Sequence, residues 1–135
     1  MKQTSLVLPL GAVALALLAG CASLAGKPED IVRTRAQERV DLILNNDFGK
    51  AYAYLLPSYR AQYNEQTWRG KFGSSAQWIN PKVSSVKCPE SDRCEVEIAL
   101  KVRVLMGNAG LQSFDTVMRE TWLQRDGQWW FYQAP

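Results

Sequence analysis

The chain reads as an α+β domain, with N-terminal helices packed on a strongly curved, antiparallel four-stranded sheet. Three observations predict this class. Apolar residues recur at helical spacing from Pro28 to about Asn45. From Ala76 onward the apolar period changes to two, most clearly in Cys94, Val96, Ile98, Leu100, Val102, Val104 and Met106. Asp126-Gly127 then sits between two aromatic-rich runs, and Asp-Gly is the dipeptide a two-residue type I′ hairpin selects, because both central residues need φ > 0.

In chain order, Pro28 suits the first position of a helix, with Glu29 and Asp30 in the dipole-favoured first turn. Val32, Ala36, Val40, Ile43 and Leu44 form its apolar stripe, with Arg33, Arg35, Gln37, Glu38 and Asp41 elsewhere on the wheel. Asp47 caps a second helix, Phe48 to Leu56, which Pro57 stops. A further helical turn, Ser58 to Tyr63, carries Tyr59. Asn64 caps a third, short helix with Trp68 and Phe72 at i, i+4 and Gly73 as its stop. Trp78 and Ile79 open an irregular lead-in before Pro81, and Val83 to Cys88 is the first strand. Gly107-Asn108-Ala109-Gly110 turns the second strand into the third.

Side-chain chemistry suggests the registers. Opposing Cys88 to Cys94 also opposes Lys87 to Glu95 on the outer face. Opposing Val104 to Phe114 puts Arg103 beside Asp115 outside, and Met118, Glu120 and Trp122 inside with Leu100, Ile98 and Val96. A one-residue slip would bury Asp115 and Arg119 instead. Centring the last hairpin on Asp126-Gly127 pairs Arg125 with Gln128, Gln124 with Trp129, Leu123 with Trp130 and Trp122 with Phe131. Trp122, Trp129 and Phe131 then share the inner face, and Leu123, Trp130 and Tyr132 the outer one.

The first residues belong to targeting rather than fold. Lys2 is a one-charge n-region and Leu6 to Ala19 an apolar core too short for a comfortable membrane span. Leu18-Ala19-Gly20-Cys21 resembles the bacterial lipobox. That implies a signal peptide over 1–20, lipidation (palmitate among the acyl groups) of Cys21, and a short tether over 21–27. Ala22 rather than Asp after the cysteine implies the outer membrane of a Gram-negative bacterium, on its periplasmic side. The tether reaches only about 20 Å at roughly 3.3–3.6 Å per residue. Residues 28–135 remain as one domain, long enough to bury a core.

Composition narrows the chemistry. The formal charge of +3 is too balanced to argue for nucleic acid, and the chain has no histidine, the commonest metal ligand and the one side chain that titrates unperturbed near neutrality. No cofactor or metal is expected. Cys88 and Cys94 flank a turn-rich loop in an oxidising compartment and are expected to form a hairpin-closing disulfide, since C-x5-C without histidine matches no ligand pattern.

The organisation also resembles the nuclear transport factor 2-like superfamily, the cone-shaped fold of ketosteroid isomerase-like enzymes. The features that carry it are the long helix after Pro28, Asp47-Phe48-Gly49-Lys50-Ala51-Tyr52, Leu56-Pro57-Ser58-Tyr59, and the hairpin Glu120-Thr121-Trp122 to Asp126-Gly127-Gln128-Trp129. The resemblance implies a pocket between helices and sheet, for which Tyr52, Tyr59, Trp68, Met118, Glu120, Trp122, Trp129 and Phe131 are the candidates. Glu120, the one ionisable group placed on the inner sheet face, is either a desolvated general acid or base or a structural acid bonded to a tyrosine or an indole N–H. Outside, Val117, Leu123, Trp130 and Tyr132 form a candidate partner surface, for a second copy or an envelope protein, unless the third-helix region or the C-terminal segment covers it. Three functions follow: a non-enzymatic, lipid-anchored domain binding a small apolar ligand or an envelope protein, a lyase or isomerase using Glu120, or a structural subunit of an envelope assembly.

Overall fold

The computed structural model describes residues 26–73 and 76–135. The expected signal peptide, Cys21 and the tether up to Ala25 lie outside the described residues. Four helices, α1 (Pro28–Leu44), α2 (Phe48–Tyr52), α3 (Pro57–Arg60) and α4 (Glu65–Arg69), precede a meander of β1 (Ala76–Glu90), β2 (Arg93–Leu105), β3 (Leu111–Arg125) and β4 (Gln128–Tyr132). The sheet order is β1-β2-β3-β4, antiparallel throughout. The protein is therefore α+β, with one sheet and a few mostly short helices. No helix among the described residues is long and apolar enough to cross a membrane.

The β3–β4 hairpin has the register that its turn dictates, Arg125 facing Gln128 and Trp122 facing Phe131. Asp126 and Gly127 take φ of 51° and 75°, the left-handed pair of a type I′ turn. Trp122, Trp129 and Phe131 are buried on the face toward the helices. At the β1–β2 end Lys87 faces Glu95, and Cys88 and Cys94 are disulfide-bonded.

Four expectations need correcting. Phe114 faces Val102 rather than Val104, which faces Gln112, so β2 and β3 are offset by two residues from the expected register. The ladder ends with Leu105 opposite Leu111, and the turn spans Met106–Gly110, one residue more than expected. Gly107 and Gly110 at φ of 45° and 71° allow this, and Gly110 O accepts from Met106 N at 2.9 Å. Because the shift is even, every side chain keeps its face, but Asp115 now pairs with Lys101 (3.3 Å) instead of lying beside Arg103.

Second, α2 stops at Tyr52 rather than Leu56. Residues 54–56 extend along β4, where Phe131 N donates to Tyr54 O (2.8 Å) and Leu56 N to Phe131 O (3.2 Å), so the open edge of the last strand is covered. Third, α4, capped by Asn64 Oδ1 accepting from Thr67 N (2.9 Å), ends at Gly70 rather than Gly73. Fourth, β1 begins at Ala76 and absorbs Trp78 and Ile79, with a register shift between Ile79 and Lys82 that accommodates Pro81. This strand lies at the sheet edge, and α1 satisfies its bulged part. Gln37 accepts from Val83 N (2.9 Å) and donates to Pro81 O (3.1 Å), and Arg33 donates to Val83 O (3.2 Å).

The core lies between α1 and the sheet. Val32, Ala36, Val40 and Ile43 meet Cys94, Val96, Ile98 and Trp122, with Leu55, Tyr59 and Trp68 closing the side. Leu44, expected on the buried stripe, is exposed at the end of α1.

Candidate functional site

Glu120 stands on the inner face of β3, opposite Val96 and between Met118 and Trp122. The α1 residue above it is Arg39. Both are buried, at 3% and 4% exposure. Arg39 Nη1 donates to Glu120 Oε1, and Trp122 Nε1 donates to Glu120 Oε2 at 3.0 Å. The guanidinium also stacks on Phe131, 3.7 Å from the ring centroid. Each carboxylate oxygen thus has a fixed donor, one of them charged. Burial pulls the Arg39 pKa below its ordinary value, and the Glu120 carboxylate pulls it back up.

The residues expected to line a pocket are brought together, but as packed side chains. Tyr59, Trp68, Trp122, Trp129 and Phe131 are core residues, and Tyr52 and Met118 pack against them half-buried. Tyr52 Oη donates to Tyr63 O (2.6 Å), and its ring lies 5.8 Å from that of Trp68, which meets Phe72 edge-on at 4.9 Å. Of these eight, Trp129 reaches a surface cleft, a volume of about 580 Å³ beside Lys27, Ile31, Arg35 and Gln128 where the described chain begins. A second cleft, about 790 Å³, opens at the other end of α1, between Leu44, Phe48, Phe72 and Trp78. Among the described residues no three His, Cys, Asp or Glu side chains converge as a metal site would require.

The expected outer patch is divided. Leu123 and Trp130 pack partly against the core, and Arg35 and Arg60 stand 5.9 and 5.6 Å from the Trp130 ring, so α3 and α1 lend it cover. Tyr132 is exposed. Val117 lies farther along β3, beyond Arg119, which pairs with Glu97 (3.2 Å). The larger apolar exposure is at the β2–β3 tip. Leu105, Met106, Leu111 and Phe114 are 67%, 54%, 68% and 49% exposed, with Val117 behind them. Phe114 shares the helix-facing side with Val102 and Trp78, and Leu105 and Leu111 lie on the other side.

No protein-family model matches this chain, and no curated protein matches it. A solved structure to which it is similar is a SEC-C motif containing protein from Rhodopseudomonas palustris, known from a solution structure. The two share 16% identity over 73% of each chain, with a TM-score of 0.56. At that identity the likeness speaks for the fold alone. It also corrects the resemblance to the nuclear transport factor 2-like superfamily, since the match falls on a SEC-C motif protein instead. The cues behind that resemblance were an amphipathic helix, an Asp cap, a Pro stop and an Asp-Gly hairpin. Each arises wherever helices precede an antiparallel meander, so they specify a class of architecture and not a lineage.

Arg39 is the functional-site residue that sequence reasoning missed. Its signal was present: 32, 36, 39 and 43 fall at i, i+4, i+7 and i+11, the stripe of a core-facing helix. An arginine in that stripe, facing a sheet with a single inward acid, calls for a buried pair.

Proposed function

We propose that this protein is a lipid-anchored periplasmic binding domain of the outer membrane, held by Cys21, which engages an envelope protein through the far end of its β2–β3 hairpin. The carrying observation is the concentration of exposed apolar side chains at that end, Leu105, Met106, Leu111 and Phe114, with Val117 opposite Ala99 at mid-strand; among the described residues the other large exposed ones are Leu44 and Tyr132. Large apolar residues gathered at one end of a domain mark an interaction surface. The position fits the anchor. The described chain starts beside the β3–β4 turn, and the hairpin tip lies at the opposite end, up to roughly 40 Å of strand away. On this reading the tether over residues 21–27 holds the first end to the membrane and presents the second to the periplasm.

A lyase or isomerase using Glu120 is less well supported. Both oxygens of that carboxylate accept from buried donors, and proton exchange with a ligand would break the contact with Arg39. Trp68, Trp122 and Trp129 are buried in the core that a small apolar ligand would have to enter. The test is a photo-crosslinking side chain placed at Met106 in the full chain, in cells, with Ser84 on β1 as the exposed control. A discrete protein adduct from position 106 that is absent from position 84 supports the proposal. Adducts to lipid alone, or to a second copy of the chain, refute the envelope-protein partner.

A further inference from the structure

We infer that the cleft between the end of α1 and the start of β1 receives an acidic peptide segment of a partner protein, seating one apolar side chain between Arg69 and Lys71. The inference deepens the binding role proposed above and rests on it. The cleft, about 790 Å³, has a floor of Leu44, Phe48, Phe72 and Trp78, and among the described residues its lining includes two cations and no carboxylate. That volume lies in the usual range for binding sites, roughly 300–1,000 Å³. It is continuous with the exposed hairpin, since Trp78 faces Val102 and Val102 faces Phe114 on the same side of the sheet.

Charge decides the occupant. Arg69 and Lys71 are exposed, and among the described residues neither has an ion-pair partner. Each lies over aromatic rings instead. Arg69 Cζ is 4.8 Å from the Phe48 centroid, and Lys71 Nζ is 5.6 Å from that of Tyr59 and 5.9 Å from that of Tyr63. Stacking restrains these cations and leaves the edge donors of the guanidinium open to a carboxylate. The acids nearest the lining in sequence are Asp47, which is paired with Lys50 (2.7 Å), and Glu65; beyond them acids are sparse. None occurs between Glu65 and Glu90, a stretch with Arg69, Lys71, Lys82 and Lys87, or between Glu97 and Asp115, a stretch with Lys101 and Arg103. Asp115, toward this end of the sheet, is paired with Lys101 (3.3 Å). A concave, apolar floor under a cationic rim fits a side chain flanked by carboxylates. A flat array of anionic lipid headgroups fits it less well, and the cleft lies at the end of α1 remote from the anchor.

The probe is a fluorescein-labelled peptide, Asp-Glu-Phe-Glu-Asp, titrated by anisotropy into the full-length protein in neutral detergent. Its amide counterpart, Asn-Gln-Phe-Gln-Asn, and dihexanoylphosphatidylglycerol below its micelle concentration are tested alongside. The acidic peptide should bind, lose affinity with added salt, and bind about tenfold more weakly to Arg69→Glu/Lys71→Glu, since each reversal replaces an attraction by a repulsion. Arg69→Gln/Lys71→Gln serves as the milder variant, and melting temperatures establish that both are folded. Equal binding of the amide peptide, or unchanged binding to folded charge variants, overturns the inference. Binding of the phosphatidylglycerol in place of the peptide overturns it in favour of an anionic lipid. If the Met106 adduct forms in the parent protein while the acidic peptide does not bind that protein, the cleft assignment falls and the binding role stands. Loss of that adduct from the parent protein removes both.

Discussion

Substituting Glu120 by Gln tests the ion pair at the centre of the fold. The carboxylate presents two oxygens to two buried donors, Arg39 and Trp122. An amide presents one oxygen and one NH2 group, so whichever way it turns, a donor faces a donor and the Arg39 charge loses its counter-charge. Breaking a buried pair by removing one partner costs about 3–5 kcal/mol. For a domain of this size that lowers the melting temperature by on the order of 10 °C, readable by circular dichroism or calorimetry. Replacing both partners, as Arg39→Met with Glu120→Leu, removes the stranded charge and should recover part of the loss. A residual of about 1–3 kcal/mol should remain, because Trp122 Nε1 then lacks an acceptor. A Glu120→Gln protein melting within about 2 °C of the parent, or a double variant no more stable than that single one, would refute the coupling of Arg39 to Glu120.

Cys21→Ala should abolish incorporation of labelled palmitate; label retained in that variant removes the lipobox assignment. The Cys88–Cys94 bond should leave no thiol to label under native, non-reducing conditions, and the paired Ser variant should lose stability at or below about 2–4 kcal/mol, the closed loop being short. Asp47 caps α2 by accepting from Lys50 N (3.4 Å) and pairs with the Lys50 ammonium (2.7 Å), and its hydrogen bond to Lys50 holds the carboxyl below its usual pKa. A depressed folded pKa makes this contribution complete above the ordinary value of 3.8, and lost as pH falls through the folded one. The melting temperatures of Asp47→Ala and the parent should therefore differ at neutral pH and converge at acid pH; a constant difference contradicts the role of the charge.

Much of the fold was legible because local and global cues agree. Asp126-Gly127 fixes a two-residue turn, and alternation around it fixes the faces of Trp122, Trp129 and Phe131. The β2–β3 offset was not legible, since both registers keep every side chain on its face and a turn with two glycines can close at more than one length. The end of α2 was hidden for another reason. Residues 54–56 have no helix breaker before Pro57, and what draws them out of the helix is the open edge of β4, a tertiary demand. Glu120 was visible as an inward acid and its indole partner was anticipated as a class. Arg39 was overlooked because a charged residue on an amphipathic helix is ordinarily assigned to the wet face. Neither the exposed tip nor the acid-free cleft follows from periodicity. The apolar alternation of β2 runs unbroken to Met106, and only the position of α1 shows where its cover stops.

The most direct measurement is the effect of Leu111→Asp on the Met106 adduct and on thermal stability together. Leu111 is exposed at the tip, so the variant should melt within about 0.5 kcal/mol of the parent while the adduct is lost. An adduct that survives the charge, or a stability loss as large as that of Glu120→Gln, would contradict the assignment of this hairpin end as the binding surface.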